Sequence, residues 1–478
     1  ETHFCKSSFH CTPNLSAESF DITKVSLFTE RFSVPSSSVT GNRAEDESIN
    51  ILNMCIDIVI FENITRPYLT CTLVMVDDLN LSSIPGIQGT ERITVEFGSP
   101  LASDFIKKTF FIKKIKEYEK YNERTDVLVL SLVEDIAFYD SVLKISKSYE
   151  GTGEQIVTKI LSDNLKKDLY RPDTYFLPSK QNKFRYLTPY ESPFSAINKV
   201  LSNMTTDTSL PYFLYSTIYS NDLVLTDLES IITRGSFNQT PFVYSNLHMK
   251  NKSPVNEQAF QIISYKANDI ESTMDLLQDG ALGVNFTEIN LSTAETFNNE
   301  FDINKVVIDN LINKNILPPE QIAKLTNTDV VIPDPTFENE TKLSSYFPSI
   351  KTAIATDNFP LEPELDGFNE SDINSKDTKV TIKNGVLGYL TKNVYQYYIP
   401  GLIFLDNSIN RSVGSLIKIE VLRNQGVTNQ GSKAIAKPDE VRTGNFLMLT
   451  KAHYFDIPAR LHRVSTQVSR ITNDLVNE

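Results

Sequence analysis

The sequence predicts an α+β protein dominated by β-structure, with a β-module near each end and a smaller α+β domain between them. Two alternating patterns and one interruption predict it. Residues 52–78 read as a hairpin: Leu52, Met54, Ile56, Ile58 and Ile60 recur at every second position, and Leu69, Cys71, Leu73 and Met75 do so again after a turn at 62–67 that contains Pro67. Apolar strand patterns return after residue 379, over 395–405, 415–422, 444–454 and 460–469. Between these regions, residues 154–169 and 194–204 carry apolar side chains at helical spacing.

A chain of 478 residues exceeds one hydrophobic core, so several domains are expected. Hydrophobic residues are 40% and charged residues 22%, which places the chain among folded proteins rather than disordered ones. The net charge of −14 argues against a nucleic-acid binder, whose affinity comes from clustered Lys and Arg on phosphates. No apolar run reaches the ~20 residues of a membrane span and no basic-plus-apolar leader opens the sequence, so a soluble chain without stable membrane insertion is expected.

Residues 1–19 read as a flexible N-terminal arm. His3, Cys5, His10 and Cys11 lie in it, but their spacing fits no standard zinc finger and no metal is assigned. Residues 20–149 form the first β-module. A strand at 20–34 precedes the 52–78 hairpin, and an isolated hairpin is marginal in water, so it needs the strands that follow at 92–97, 110–116 and 126–133 to build a barrel or sandwich. The last two form a second hairpin, and a short helix follows at 134–144. Lys113, Lys114, Lys116 and Lys120, interleaved with Glu117 and Glu119, mark a solvated strand face. Cys55 and Cys71 sit inside strands as small buried hydrophobes.

Residues 150–257 are read as an α+β peripheral domain. Thr152 or Gly153 caps the helix at 154–169, and Ser192-Pro193 opens the helix at 194–204, with Ala196, Ile197, Val200 and Leu201 as its buried stripe. A hairpin follows, 212–215 and 223–225, around a turn at 219–222. Residues 258–325 begin the second β-module, with strands at 258–265 and 283–291 and helices at 269–277 and 303–313. Residues 326–378 hold Pro333, Pro335, Pro348, Pro360 and Pro363 among many acids and lose the hydrophobic pattern, which reads as an acidic linker or insertion. Residues 379–478 complete the second module: Pro400-Gly401 interrupts one apolar strand, a polar loop spans 424–442, and a hairpin closes the chain.

No catalytic, cofactor-binding or metal-binding residue is assigned. Gly151-Thr152-Gly153 lacks the third glycine of a dinucleotide fingerprint. His248, His453 and His462 belong to no hydrolase or metalloprotease motif, and His453 is expected to be a hydrogen-bonded structural histidine in a strand. Asp77-Asp78 at a strand end are expected to stop pairing and face water rather than act as a glycosidase acid pair.

Several stretches together resemble the central baseplate hub of contractile-tailed, T-even-like bacteriophages. They are the strand pair at 52–78, the turn Gly89-Thr90-Glu91-Arg92-Ile93, Tyr149-Glu150-Gly151-Thr152-Gly153 before a helix, Pro211-Tyr212-Phe213-Leu214-Tyr215, Tyr398-Ile399-Pro400-Gly401-Leu402-Ile403-Phe404, and the closing hairpin from Gly444 to Arg463. The resemblance covers most of the chain. It implies a homotrimer whose subunits each carry two tube-like β-modules, presenting six similar modules to a hexameric tail tube and threefold symmetry to a central spike. Tail tube or tube-initiator proteins, the spike and surrounding baseplate proteins are then the partners, and DNA passes through an axial channel without specific binding. The implied location is the virion, after synthesis in the host cytoplasm, with no enzymatic activity and no cofactor. The acidic stretch 326–378 and the Cys/His arm depart from the family. The competing reading is a β-rich tail-associated adhesin or polysaccharide-cleaving enzyme using tyrosine-rich loops near Tyr395, Tyr397 and Tyr398.

Overall fold

The computed structural model describes residues 20–28, 48–77, 91–98, 105–120, 126–170, 184–206, 210–244, 259–267, 283–290, 296–302, 331–333, 340–342, 350–355, 376–392, 394–401, 411–422, 439 and 442–472. The first module contributes β1 (Asp21–Phe28), β2 (Ser48–Asn50), β3 (Cys55–Asn63), β4 (Thr70–Asp77), β5 (Arg92–Gly98), β6 (Ile106–Lys120) and β7 (Asp126–Glu134), followed by α1 (Asp135–Val142). Its strands pair antiparallel in the order β3-β4-β7-β6-β5-β1-β2. The expected period in β4 holds, with Leu69, Cys71, Leu73 and Met75 all buried.

In β3 the pattern starts later than expected. Leu52–Met54 is a 3-10 turn, and a bulge between Cys55 and Asp57 shifts the register, so that Cys55, Ile58 and Ile60 take the core side. The strand also runs one residue past Glu62, which the sequence had suggested as the first turn residue. β6 extends to Lys120, and its Lys113 to Lys120 half is exposed, as the solvated face required.

The middle of the chain supplies β8 (Ser148–Gly151), α2 (Gly153–Ile160), β9 (Leu169–Tyr170), β10 (Phe184–Leu187), α3 (Pro193–Asn203), β11 (Tyr212–Tyr215), β12 (Leu223–Asp227) and α4 (Leu228–Arg234). Thr152 caps α2 through a full capping box with Gln155, and Ser192 caps α3 with Pro193 in its first turn. α2 is shorter than its hydrophobic period because a π turn at Leu161–Leu165 leads to Lys166 in left-handed backbone. Ile156, Val157, Ile160, Ile197 and Val200 pack with Leu214 and Leu225 in one core.

The remaining elements are β13 (Phe242–Tyr244), β14 (Ser264–Ala267), β15 (Gly283–Asn290), β16 (Thr296–Asp302), β17 (Val331–Pro333), β18 (Glu340–Lys342), β19 (Ile350–Ala355), α5 (Lys376–Lys392), β20 (Val394–Pro400), β21 (Leu416–Val421), β22 (Gly444–Asp456) and β23 (Leu461–Thr472). The closing hairpin is β22–β23, as expected. β22 also pairs with β3, and this joins both ends of the chain in one thirteen-stranded sheet, ordered β14-β20-β23-β22-β3 and onward through the first module. The sheet curves strongly. Phe97 of β5, five strands away from β22 in that order, meets Phe455 of β22 at 5.0 Å, and Phe20 meets it at 5.1 Å. A fully buried Phe stabilises the fold by about 1.5–3 kcal/mol, so this aromatic group holds the curvature.

Several expectations change here. Residues 259–263 are not strand; Gln261 instead bridges Val243 of β13, and the strand begins only at Ser264. β15 lies outside the large sheet, pairing antiparallel with β16 and parallel with β19. β17, β18 and β19 fall within 326–378, and α5 was not expected at all. The helices at 269–277 and 303–313, the arm at 1–19 and most of the loop at 424–442 lie outside the described residues.

Candidate functional site

The seam between β3 and β22 carries a buried charged cluster. Ile58, Ile60 and Glu62 share one face of β3, and Phe455, His453 and Lys451 lie opposite on β22, with Ile60 facing His453 and Glu62 facing Lys451. Alternation therefore places a carboxylate and an ammonium where apolar residues precede them. Burial of either charge alone would be costly, and the surroundings answer it with hydrogen bonds. Glu62 Oε1 accepts from Ile218 N at 2.8 Å and Thr217 Oγ1 at 3.0 Å, and Oε2 accepts from Val413 N at 3.4 Å. Lys451 Nζ donates to the Arg411 carbonyl at 2.5 Å and lies 5.5 Å from the Tyr219 ring centre.

His453 extends the cluster to β23. Its Nε2 lies 3.7 Å from Glu62 Oε1, and its Nδ1 is 3.2 Å from His462 Nε2. A neutral His453 that donated through Nδ1 would turn a lone pair toward a carboxylate. Electrostatics therefore favours the other tautomer: His462 donates to His453, and His453 points its N–H at Glu62. The His462 ring stacks on Phe455 at 4.3 Å, and Gly401 lies against it, where a Cβ would fall 1.9 Å from Nδ1.

A second pair completes the site. Lys108 of β6 lies 3.7 Å from Glu134, and donates to the Ser220 carbonyl at 2.5 Å. Glu134 Oε2 accepts from Leu69 N at 3.0 Å and Ser216 Oγ at 2.7 Å. Residues 216–220, the loop between β11 and β12, thus touch both carboxylates and Lys108, and Ile218 enters the first module's core. This turn lies within residues 150–257 and is buried against both carboxylates.

Burial alone would raise the Glu62 carboxyl, but His453, Lys451 and the Ile218 amide together bring it down to about 2. Burial pushes Lys451 down to about 8 despite the attraction of Glu62. It pushes both histidines down as well, His462 well below the ordinary range, with Lys451 adding to the effect. Glu62, Lys451, His453 and His462 are all within 2% of complete burial. Burial likewise pushes the Cys55 thiol up to about 12 and raises Cys71.

The sequence singled out His453 and His462 separately, and the fold brings them together; His248, His3, Cys5, His10 and Cys11 lie outside the described residues. Asp77 is buried rather than facing water, because it sits within the β4–β7 ladder opposite Asp126; Asp78 lies outside the described residues. Tyr395 and Tyr397 are core residues packed on Phe446, not a sugar platform, and Tyr398 is half-buried. Among the described residues no group of His, Cys, Asp and Glu has the makings of a metal site, and no helix is long and apolar enough to cross a membrane. The Glu62 and Lys451 positions were missed, although continuing the period of Ile58 and Ile60 points Glu62 inward.

An open groove of about 610 Å³ lies between the β3–β4 turn and α3, lined in part by Arg66, Tyr68, Asp140, Ser195 and Asn198. Asp140 is engaged there by the Phe194 amide at 2.6 Å.

One curved sheet shared by two β-rich ends, with residues 216–220 inserted at the seam, defines a β-dominated fold. The fold is similar to that of the 43 kDa tail protein of prophage MuSo2 from Shewanella oneidensis, with a TM-score of 0.50 and 10% identity, over 94% of this chain and 98% of that one. A tail protein from Neisseria meningitidis MC58 aligns at a TM-score of 0.47 and 10% identity, over 95% and 97% of the two chains. The Escherichia coli c3393 protein, a component of the type VI secretion system, aligns at 0.36 and 8% identity, over 87% and 73%. No family model matches the chain, and no curated protein sequence matches it. At these identities the likeness is one of fold, and the MuSo2 protein carries it.

Proposed function

We propose that this chain is a structural tail protein, the hub of a phage baseplate or of a related injection machine. The observation that carries the reading is the likeness to the MuSo2 tail protein over nearly the whole of both chains. In this reading the chain forms a homotrimer, acting as a symmetry adaptor between a hexameric tail tube and a trimeric central spike, with an axial channel for DNA. The two β-modules supply six similar units per trimer. The surplus of acidic side chains, which gives −14 per subunit, suits a lumen that DNA traverses without adhering. The division into 1–19, 20–149, 150–257, 258–325, 326–378 and 379–478 belongs to the same proposal, as do its residence in the virion and the absence of enzymatic activity.

The adhesin or polysaccharide-cleaving reading loses its footing where Tyr395 and Tyr397 are buried. Native mass spectrometry over a range of concentrations, with imaging of the largest species, tests the hub. A discrete species at three times 54.0 kDa with a central opening is expected. A monomer at every concentration, with or without candidate tube and spike proteins, would overturn it.

A further inference from the structure

The buried carboxylates and ammoniums of the cluster match in number. Glu62 and Glu134 carry two negative charges, and Lys108 and Lys451 carry two positive ones. A proton on His453 or His462 therefore adds positive charge to carboxylates already matched by ammoniums, with Arg411 adding more nearby. The cluster is also where three parts of the fold meet: β3 with β6 and Glu134 from the first module, β22 and β23 from the C-terminal end, and the 216–220 turn.

We propose that the His453–His462 pair is an acid-operated latch on the β3–β22 seam, closed while both imidazoles are neutral and released when the pair takes up a proton. The groups facing the pair decide the sign. From β3, Glu62 attracts the incoming proton; from β22, Lys451 opposes it; Arg411, on the turn before β21, adds positive charge beside Lys451. Lys108 and Glu134 offset one another on the far side of Glu62, with Asp135 and Lys167 beyond them. One favourable carboxylate, already satisfied by three hydrogen bonds from Thr217, Ile218 and Val413, faces a sealed site that gains net positive charge.

Release has a defined path. His462 has little room to swing away in place, because Phe455 stacks on it and Gly401 packs against it, with the Gly401 amide donating to the His462 carbonyl at 2.8 Å. Relief therefore requires separation of β22 from β3, which admits water to both imidazoles. The seam opens before the β4–β7 and β5–β6 ladders, which carry neither imidazole and include the apolar facing pairs Leu73–Leu130 and Ile93–Phe110. The latch is a property of the single chain and does not depend on the hub reading.

Hydrogen exchange of the full chain, corrected for intrinsic rate and followed from pH 7.5 to 5, tests it. Amides of β3 from Asp57 to Asn63 and of β22 from Thr450 to Asp456 are expected to open more often by up to about tenfold per pH unit, the slope of one proton taken up. Amides of β5, β6 and α3 are expected to keep their protection. In the His453→Gln/His462→Gln double variant, which removes both titrating rings, seam exchange is expected to stay flat across the same range. Seam protection that is unchanged in the wild type, or lost only together with β5 and β6, would overturn the latch. So would an undiminished pH response in the double variant. If that variant does not fold, the wild-type comparison decides by itself.

Discussion

Glu62 and Lys451 stand directly opposite each other on β3 and β22, yet the Lys451 ammonium turns to the Arg411 carbonyl at 2.5 Å. The Glu62 carboxylate is left to Thr217, Ile218, Val413 and His453. A buried pair of this kind adds little net stability over an apolar pair, but removing one member strands the other.

Truncation of Glu62 is therefore expected to be severe. Glu62→Ala should cost about 3–5 kcal/mol, because the Ile218 and Val413 amides and Lys451 lose their acceptor or counter-charge. Glu62→Gln keeps one acceptor and should cost about 1–3 kcal/mol. Urea midpoints measured at constant slope give both values.

Stability should fall on acidification in two stages. Both histidines have folded pKa values below their ordinary 6.5, so the unfolded chain binds protons first and stability drops as pH falls below 6.5. Glu62 is depressed from 4.5 to about 2, so its contribution is present above 4.5 and is lost as pH falls through that interval toward 2. Urea midpoints from pH 7.5 to 3 should show both limbs, and His453→Gln/His462→Gln should retain only the lower one.

Gly401→Ala and Gly153→Ala should separate by the stiffness of what they meet. The new methyl at 401 falls 1.9 Å from His462 Nδ1, on a ring locked by Phe455, whereas at 153 it meets Met204 Cγ at 2.4 Å on an adaptable side chain. The first should cost about 1–3 kcal/mol and the second clearly less. Thermal midpoints compared at one pH rank them.

Lys383 of α5 directs its buried ammonium at the carbonyls of Leu201, Ser202 and Met204, at the C-terminal end of α3. A cation there meets helix-end carbonyls, of which that of Leu201 also accepts from the Met204 amide, and the negative end of the helix dipole. Lys383→Met should cost about 1–3 kcal/mol and speed exchange in the last turn of α3.

Cys55 and Cys71 should resist an aromatic disulfide reagent in the native protein, since both thiols are buried and their ionisation is suppressed. Labelling counted by mass before and after denaturation should show both reacting only on unfolding.

The strands of the first module were readable because their alternation is local: Leu69 to Met75 show their buried face without knowledge of any partner. The caps at Thr152 and Ser192 were readable for the same reason. α5 was not, because Val380, Thr381, Ile382, Gly385 and Gly388 weaken its helical propensity, and burial of Lys383, Val386 and Leu390 stabilises it instead. The charged cluster was hidden more deeply. The period of Ile58 and Ile60 points Glu62 inward, but only the pairing of β3 with β22 shows that Lys451 is buried with it.

That pairing also sets an order of events during synthesis. Lys451, which faces Glu62 across the seam, lies 389 positions further along the chain. At ribosomal speeds of about 5–20 residues per second, the β3 edge waits roughly 20–80 s for its partner to be made. Through that interval the nascent chain presents an open strand edge with a carboxylate on its core face. This charge discourages neighbouring nascent chains from docking there.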